Sequence, residues 1–108
     1  MKKQFRIKKN ETIKSILNNR DSVRDGYFNV YKKKNGLPHF RYALSVGRKF
    51  GKAVQRNRMK RRIREVIRHA NIEVEYDIFI IVNPKAGNLD YAQIEIRLKK
   101  LFRRHKLI

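Results

Sequence analysis

The sequence contains no cysteine, no tryptophan, only two prolines and only five glycines in 108 residues. Without cysteine there is no disulfide framework and no thiolate metal site. Acidic side chains are scarce: 9 Asp and Glu stand against 29 Lys and Arg, a formal net charge of +20. The few carboxylates are scattered, which argues against a protein-held metal or a paired general acid and base. His39, His69 and His105 are equally dispersed and make a His-only metal site a poor expectation. Long hydrophobic runs are missing too. The longest, at 78–82, is too short to span a bilayer. The opening Met1-Lys2-Lys3-Gln4-Phe5-Arg6 has no apolar stretch behind its basic residues, so no secretory signal is expected. A soluble, cytoplasmic protein with no membrane partner is the expectation.

Hydrophobic residues make up 41% of the chain and aromatics 10%. That is enough for one folded domain over 1–108, with a basic N-terminal arm at 1–9. A compact body at +20 repels itself unless a polyanion screens it. Nucleic acid is the expected partner. An acidic membrane surface is the rival, but a basic amphipathic anchor needs a wide apolar face left unburied.

Periodicity gives the elements. The arm reads as extended, anchored by Phe5 and Ile7. Asn10-Glu11-Thr12 reads as a helix start with Asn10 as N-cap, and Ile13, Ile16 and Leu17 follow at helical spacing to about Arg20. Asp25-Gly26 is a turn. Residues 27–33 alternate, Phe28 and Val30 pointing one way and Tyr27, Asn29 and Tyr31 the other. After the turn Asn35-Gly36-Leu37-Pro38 a second strand at 40–46 has Tyr42, Leu44 and Val46 as its apolar set, opposite Arg41, Ala43 and Ser45. Pairing of these two strands as a hairpin would make one face core. The other would carry two tyrosines, an Asn, a Ser and an Arg. That face is either a nucleic-acid surface or is covered by a helix, with Tyr31 as core; spacing leaves both open. A helix over 54–70 carries the stripe Met59, Ile63, Val66, Ile67 and Ala70. Residues 76–82 form a nearly continuous apolar strand suited to cover on both faces, with Glu73, Glu75 and Asp77 at its entrance. Asp90 and Gln93 make a capping box for a last helix with Tyr91, Ile94, Leu98, Leu101 and Phe102 on one face. This order indicates an α+β sandwich on a small sheet.

The second helix is the informative one. Arg56, Arg58, Lys60, Arg61, Arg62, Arg64 and Arg68 share it with one acid, Glu65. At 100° per residue Asn57, Lys60, Arg61, Arg64 and Arg68 gather on one face, and Arg56 and Arg62 flank the apolar stripe. Cations crowd its first turns, where the helix dipole disfavours them, a local conflict expected of a functional surface. A solvated face would normally bring glutamates at i, i+4 spacing. The preceding loop, Gly47-Arg48-Lys49-Phe50-Gly51-Lys52, adds cations but lacks the spacing of a nucleotide P-loop.

The run Gly51-Lys52-Ala53-Val54-Gln55-Arg56-Asn57-Arg58-Met59-Lys60-Arg61-Arg62-Ile63-Arg64-Glu65 closely resembles the signature of the bacterial ribonuclease P protein subunit family. Arg6-Ile7-Lys8-Lys9-Asn10 resembles its basic opening. Ser22-Val23, Phe28, Tyr31, Arg41, Leu44-Ser45-Val46 and Lys49 match its strands, so the resemblance covers nearly the whole chain.

The resemblance implies the order α-β-β-β-α-β-α, with a four-stranded sheet, an extra short strand near Val23 and a left-handed crossover through the basic helix. This is a fold also found in a ribosomal protein domain. It further implies a catalytic RNA partner whose magnesium ions hydrolyse the bond between the 5′ leader and the mature part of precursor tRNA, the protein alone being inactive and monomeric. By position, Arg48, Lys49, Lys52, Arg56, Asn57, Arg58, Lys60, Arg61, Arg64 and Arg68 would bind RNA, with Arg6 and Lys9 of the arm extending that surface. Ile13, Leu17, Asn29, Tyr31 and Ser45 would form a cleft for the single-stranded leader. The chain departs from the pattern at Ile13 and Leu17, usually Phe, at Asn29, usually apolar, and at Gly47, often Ser. Apolar contact is therefore expected where relatives stack aromatic rings. A ribosomal protein and a protein-only nuclease are the rival readings, the second requiring a carboxylate cluster that the sequence lacks.

Overall fold

The computed structural model describes residues 3–108, so the first two residues of the basic arm lie outside the described residues. The element order is α1 (Asn10–Asn18), β1 (Ser22–Arg24), β2 (Phe28–Lys34), β3 (Arg41–Val46), α2 (Ala53–His69), β4 (Tyr76–Val82) and α3 (Tyr91–Arg104). Short 3-10 turns sit at Lys3–Phe5, Arg48–Phe50 and Pro84–Asn88. The extra short strand implied by the resemblance is β1, paired antiparallel with β2 through Val23 and Val30.

The sheet order is β1-β2-β4-β3. This corrects the hairpin expectation: β2 and β3 do not pair with each other. β4 lies between them, antiparallel to β2 and parallel to β3. The reason is visible in β4 itself, which is apolar on both sides and therefore needs neighbours and cover on both. The linker after β2 crosses the end of β4, where the Asn35 N–H donates to Glu75 O at 3.2 Å.

Two apolar clusters form on opposite faces. On one, Phe28, Val30, Tyr42, Val46, Ile78, Ile80 and Val82 pack against Met59, Ile63, Val66 and Ile67 of α2 and Ile94, Leu98, Leu101 and Phe102 of α3. Each fully buried side chain of this size contributes about 1.5–3 kcal/mol. On the other face Ile16 of α1, Phe79 of β4 and Ile7 of the N-terminal segment are buried, with Ile13, Leu17, Tyr31, Ala43 and Ile81 packed partly against them. Ile7 is held there because its N–H donates to Tyr42 O at 2.9 Å, a strand-like attachment along the free edge of β3. The arm is thus a 3-10 turn followed by an edge contact rather than fully extended. Phe5 stacks on Phe40 with ring centroids 5.0 Å apart.

Helix boundaries bring one further correction. Asn10 is the first helical residue of α1 and Lys9 is its N-cap, with no side-chain cap bond. All three helices end in a left-handed residue that is not glycine: Arg20, Asn71 and Lys106. For α3, Leu107 N–H reaches Phe102 O and Lys106 N–H reaches Arg103 O, closing the last turn, while buried Leu107 seals the end against the core. The Asp90–Gln93 capping box is formed as the sequence predicts, with bonds of 2.9 and 3.0 Å.

Asp77 stands at the entrance of β4, as the sequence predicts, as its second residue. It is buried and holds Arg41 through bonds of 2.9 and 2.7 Å while accepting from Asn35 at 3.0 Å. Asp77→Ala should lower stability by about 2 kcal/mol, below the usual cost of breaking a buried pair, because the Arg41 side chain is 28% exposed and can rehydrate. Urea unfolding should show a lower midpoint with an unchanged slope.

His105 is buried, with Nε2 3.1 Å from Asp21 O and 3.5 Å from the Asp21 carboxylate. Burial pushes its pKa below the usual imidazole value; Asp21 opposes this shift and nearby Lys32 adds to it. The unfolded chain, with His105 near about 6.5, therefore binds the proton more readily. The stability this gives is present above that value and declines as pH falls through the lowered one. The free protein's melting temperature should drop between pH 7.5 and 5, and His105→Gln should flatten that slope.

Candidate nucleic-acid interface

The signature begins with a steric fit. Gly51 has φ of +151°, and a Cβ there would collide with Gln55 Oε1. That oxygen accepts from the Lys52 N–H at 2.8 Å, capping the first turn of α2. No acid stands in that turn, so nothing in it offsets its cations or the positive end of the helix dipole.

Burying the apolar stripe of α2 fixes where its charges go. Asn57, Arg61 and Arg68 are exposed on the outer face, while Lys60 and Arg64 are half-buried on the flank toward β3. Arg58 and Arg62 lie on the opposite flank and line a separate hollow with Phe50, Pro84 and Asn88. The expected basic strip is therefore one outer row with two flanks. Arg56 is half-buried, as its place beside the stripe requires, and Arg48, Lys49 and Lys52 are exposed just ahead of the helix.

Most of these charges have no internal partner. Among the described residues no ion pair involves Arg6, Lys9, Arg48, Lys49, Lys52, Arg56, Arg58, Lys60, Arg61 or Arg64. Arg68 differs, because its guanidinium donates to Glu65, and His69 Nε2 lies 3.0 Å from the same carboxylate oxygen. The Arg68 bond, then that of His69, hold the Glu65 carboxyl below its ordinary range.

The five cleft residues share the α1 face of the sheet. Register aligns Tyr31, Phe79 and Ala43 in one cross-strand row and Asn29, Ile81 and Ser45 in the next. Ile13 and Leu17 of α1, like Tyr31, Ala43 and Ile81 of the sheet, pack against the buried Ile7, Ile16 and Phe79. Both alternatives for this face are thus partly realised: α1 covers some of it, yet Asn29, Tyr31 and Ser45 stay half-exposed. Tyr27 leaves the set; it packs with the main core, and the Arg97 guanidinium sits 4.2 Å from its ring centre. Arg41 on this face is committed to Asp77.

A groove of about 400 Å³ links the two regions, lined by Arg6, Ile13 and Ala43 on one side and Lys60 and Arg64 on the other. Lys8, Asn10, Tyr42 and Leu44 also line it. These were missed because alternation assigns Tyr42 and Leu44 to the core, and nothing local shows that the arm returns to the β3 edge. Lys9 is exposed close by in sequence but does not line the groove. No three His, Asp or Glu side chains come together as a metal donor set among the described residues, and no helix is long and apolar enough to cross a membrane.

Arg61→Ala or Arg64→Ala should lower the slope of log affinity for RNA against log salt by about one each. Arg68→Ala, whose charge Glu65 already partly neutralises, should lower it less. Filter binding across a salt series reads both.

A family model described as Ribonuclease P matches residues 1–106. The chain is 37% identical over 110 residues to the "Ribonuclease P protein component" of Acholeplasma laidlawii, covering 100% of this chain and 95% of that one. It is 38% identical over 111 residues to the protein of the same description from Streptococcus pneumoniae, covering 95% and 90%. The solved Staphylococcus aureus RNase P protein superposes with a TM-score of 0.89 at 35% identity, over 95% of this chain and 96% of that one.

Proposed function

The chain belongs to the ribonuclease P protein family and is the protein subunit of an RNA–protein endoribonuclease of tRNA processing; from that premise we propose that it holds two RNA segments at once. The outer face of α2 docks on the catalytic RNA. The half-exposed face framed by Ile13, Leu17, Asn29, Tyr31 and Ser45 receives the 5′ leader of precursor tRNA. The observation that carries this reading is the groove of Arg6, Ile13, Ala43, Lys60 and Arg64, which joins the apolar-lined face to the unpaired cations.

The division of labour follows from the side chains. Unpaired guanidinium and ammonium groups meet phosphates, releasing counterions and giving affinity without sequence readout. Tyr31 offers a ring on which one leader base stacks, and Ile13 and Leu17 give apolar contact in place of further rings. Precursor, which has a leader, is thereby favoured over mature tRNA. No three carboxylate or imidazole side chains come together among the described residues. The reading accordingly assigns magnesium, and the hydrolysis, to the RNA.

Reconstitution with a bacterial catalytic RNA tests this. The protein should stimulate precursor cleavage most at low magnesium, leave a 5′-phosphate on the tRNA, and show no cleavage by itself. Absence of stimulation would contradict the proposal. Tyr31→Ala should weaken holoenzyme binding of leader-bearing substrate about 10-fold, within the range for one base stack, and leave mature tRNA unchanged. Equal losses on both would make Tyr31 a packing residue only.

A further inference from the structure

Two polar atoms in the groove beside α2 have no partner in the fold. The Tyr42 side chain is nearly all buried, at 2% exposure, yet its hydroxyl makes no hydrogen bond, and neither does the buried Nε of Arg64. Orphaned buried donors are rare in native proteins, so two on one groove call for a common explanation. Both side chains line the groove already described and also an adjoining hollow of about 350 Å³ that adds Glu65 and Arg68. Arg6 belongs to both as well.

The surroundings select the ligand chemistry. Arg6, Lys60 and Arg64 are cations without an ion-pair partner among the described residues, and the one carboxylate present, Glu65, is taken by Arg68 and His69. Tyr42 Oη and Arg64 Nε both donate. Two donors in a cationic hollow fit an oxyanion. The Tyr42 ring lies 6.4 Å from that of Phe40, on which Phe5 stacks, and the Tyr42 carbonyl is held by the Ile7 N–H. The hydroxyl is therefore preorganised.

We propose that Tyr42 Oη and Arg64 Nε form a two-donor clamp for one phosphodiester group of bound RNA, at the junction between the leader face and the α2 face. This rests on the RNA-binding reading above and adds Tyr42 as a binding residue. The phosphodiester could belong to the catalytic RNA or to the leader, and the two are separated by measurement.

Tyr42→Phe removes one oxygen and keeps the ring. The melting temperature of the free protein should stay the same or rise, because an unpaired buried hydroxyl is lost. Affinity should fall about 10-fold, as expected for one hydrogen bond to a charged group, for the catalytic RNA alone or for leader-bearing substrate on the preformed holoenzyme. The RNA that responds is the one clamped. The salt slope should not change, since no charge is removed. Combined with Arg64→Ala, the double variant should lose less than the product of the single losses. Wild-type affinity retained by Tyr42→Phe for both RNAs would overturn the clamp alone. So would a marked fall in the free protein's melting temperature, which would mean that the hydroxyl is satisfied within the fold. Wild-type protein that binds neither RNA would overturn the RNA-binding reading and the clamp with it.

Discussion

The arrangement depends on β4 being apolar on both faces. Ile78, Ile80 and Val82 require one helical layer, and α2 and α3 supply it; Phe79 and Ile81 require another, and α1 with Ile7 supplies it. A strand with these needs takes the interior of the sheet, which separates β2 from β3 and leaves the β3 edge free for the N-terminal segment. α1 is one short helix, too small to cover four strands. The part of that face it leaves half-exposed carries Asn29, Tyr31 and Ser45, the residues proposed to receive the leader. Core packing thus creates both the cleft and the groove beside α2.

Charge follows packing. Once Met59, Ile63, Val66 and Ile67 are buried, the cations of α2 have nowhere to go but outward and to the flanks. The chain has few acids, and several of them are engaged away from the signature: Asp77 with Arg41, Asp25 with Arg97, Glu95 with Lys99, Asp21 near His105. Only Glu65 stands among the signature cations. The isolated protein therefore carries an unbalanced surface at a helix start that already disfavours positive charge. Such a surface is relieved by a polyphosphate, which is the physical sense in which this subunit is completed by its RNA.

Much of this was legible from residue patterns. The period-3.6 stripes of α2 and α3 and the capping box at Asp90 are local properties, and they formed where the sequence places them. The apolar run of β4 announced a covered strand. What stayed hidden depends on contacts distant in sequence. Proximity in the chain made β2 and β3 look like a hairpin, because no local rule reveals that β4 inserts between them. Asn10 has the chemistry of a cap, yet the helix starts one residue earlier in register, and Lys9 takes the position without a side-chain bond. Tyr27 sits before the strand proper, so alternation fails there and the ring turns to Arg97. Helix ends at Arg20 and Lys106 carry no glycine to mark them. The signature cations were readable as a group, but their division between two flanks required the packed neighbours, and the role of Tyr42 required the fold of the arm.

The central claim is that one small scaffold presents different RNAs to two adjoining surfaces. The absence of cysteine allows single labels to be placed cleanly. A short photo-crosslinker attached at Ser45→Cys and, separately, at Asn57→Cys should be tested in the reconstituted holoenzyme with leader-labelled precursor tRNA. The account predicts that the Ser45 position crosslinks to the leader and the Asn57 position to the catalytic RNA. Crosslinking of both positions to the same RNA segment would contradict it.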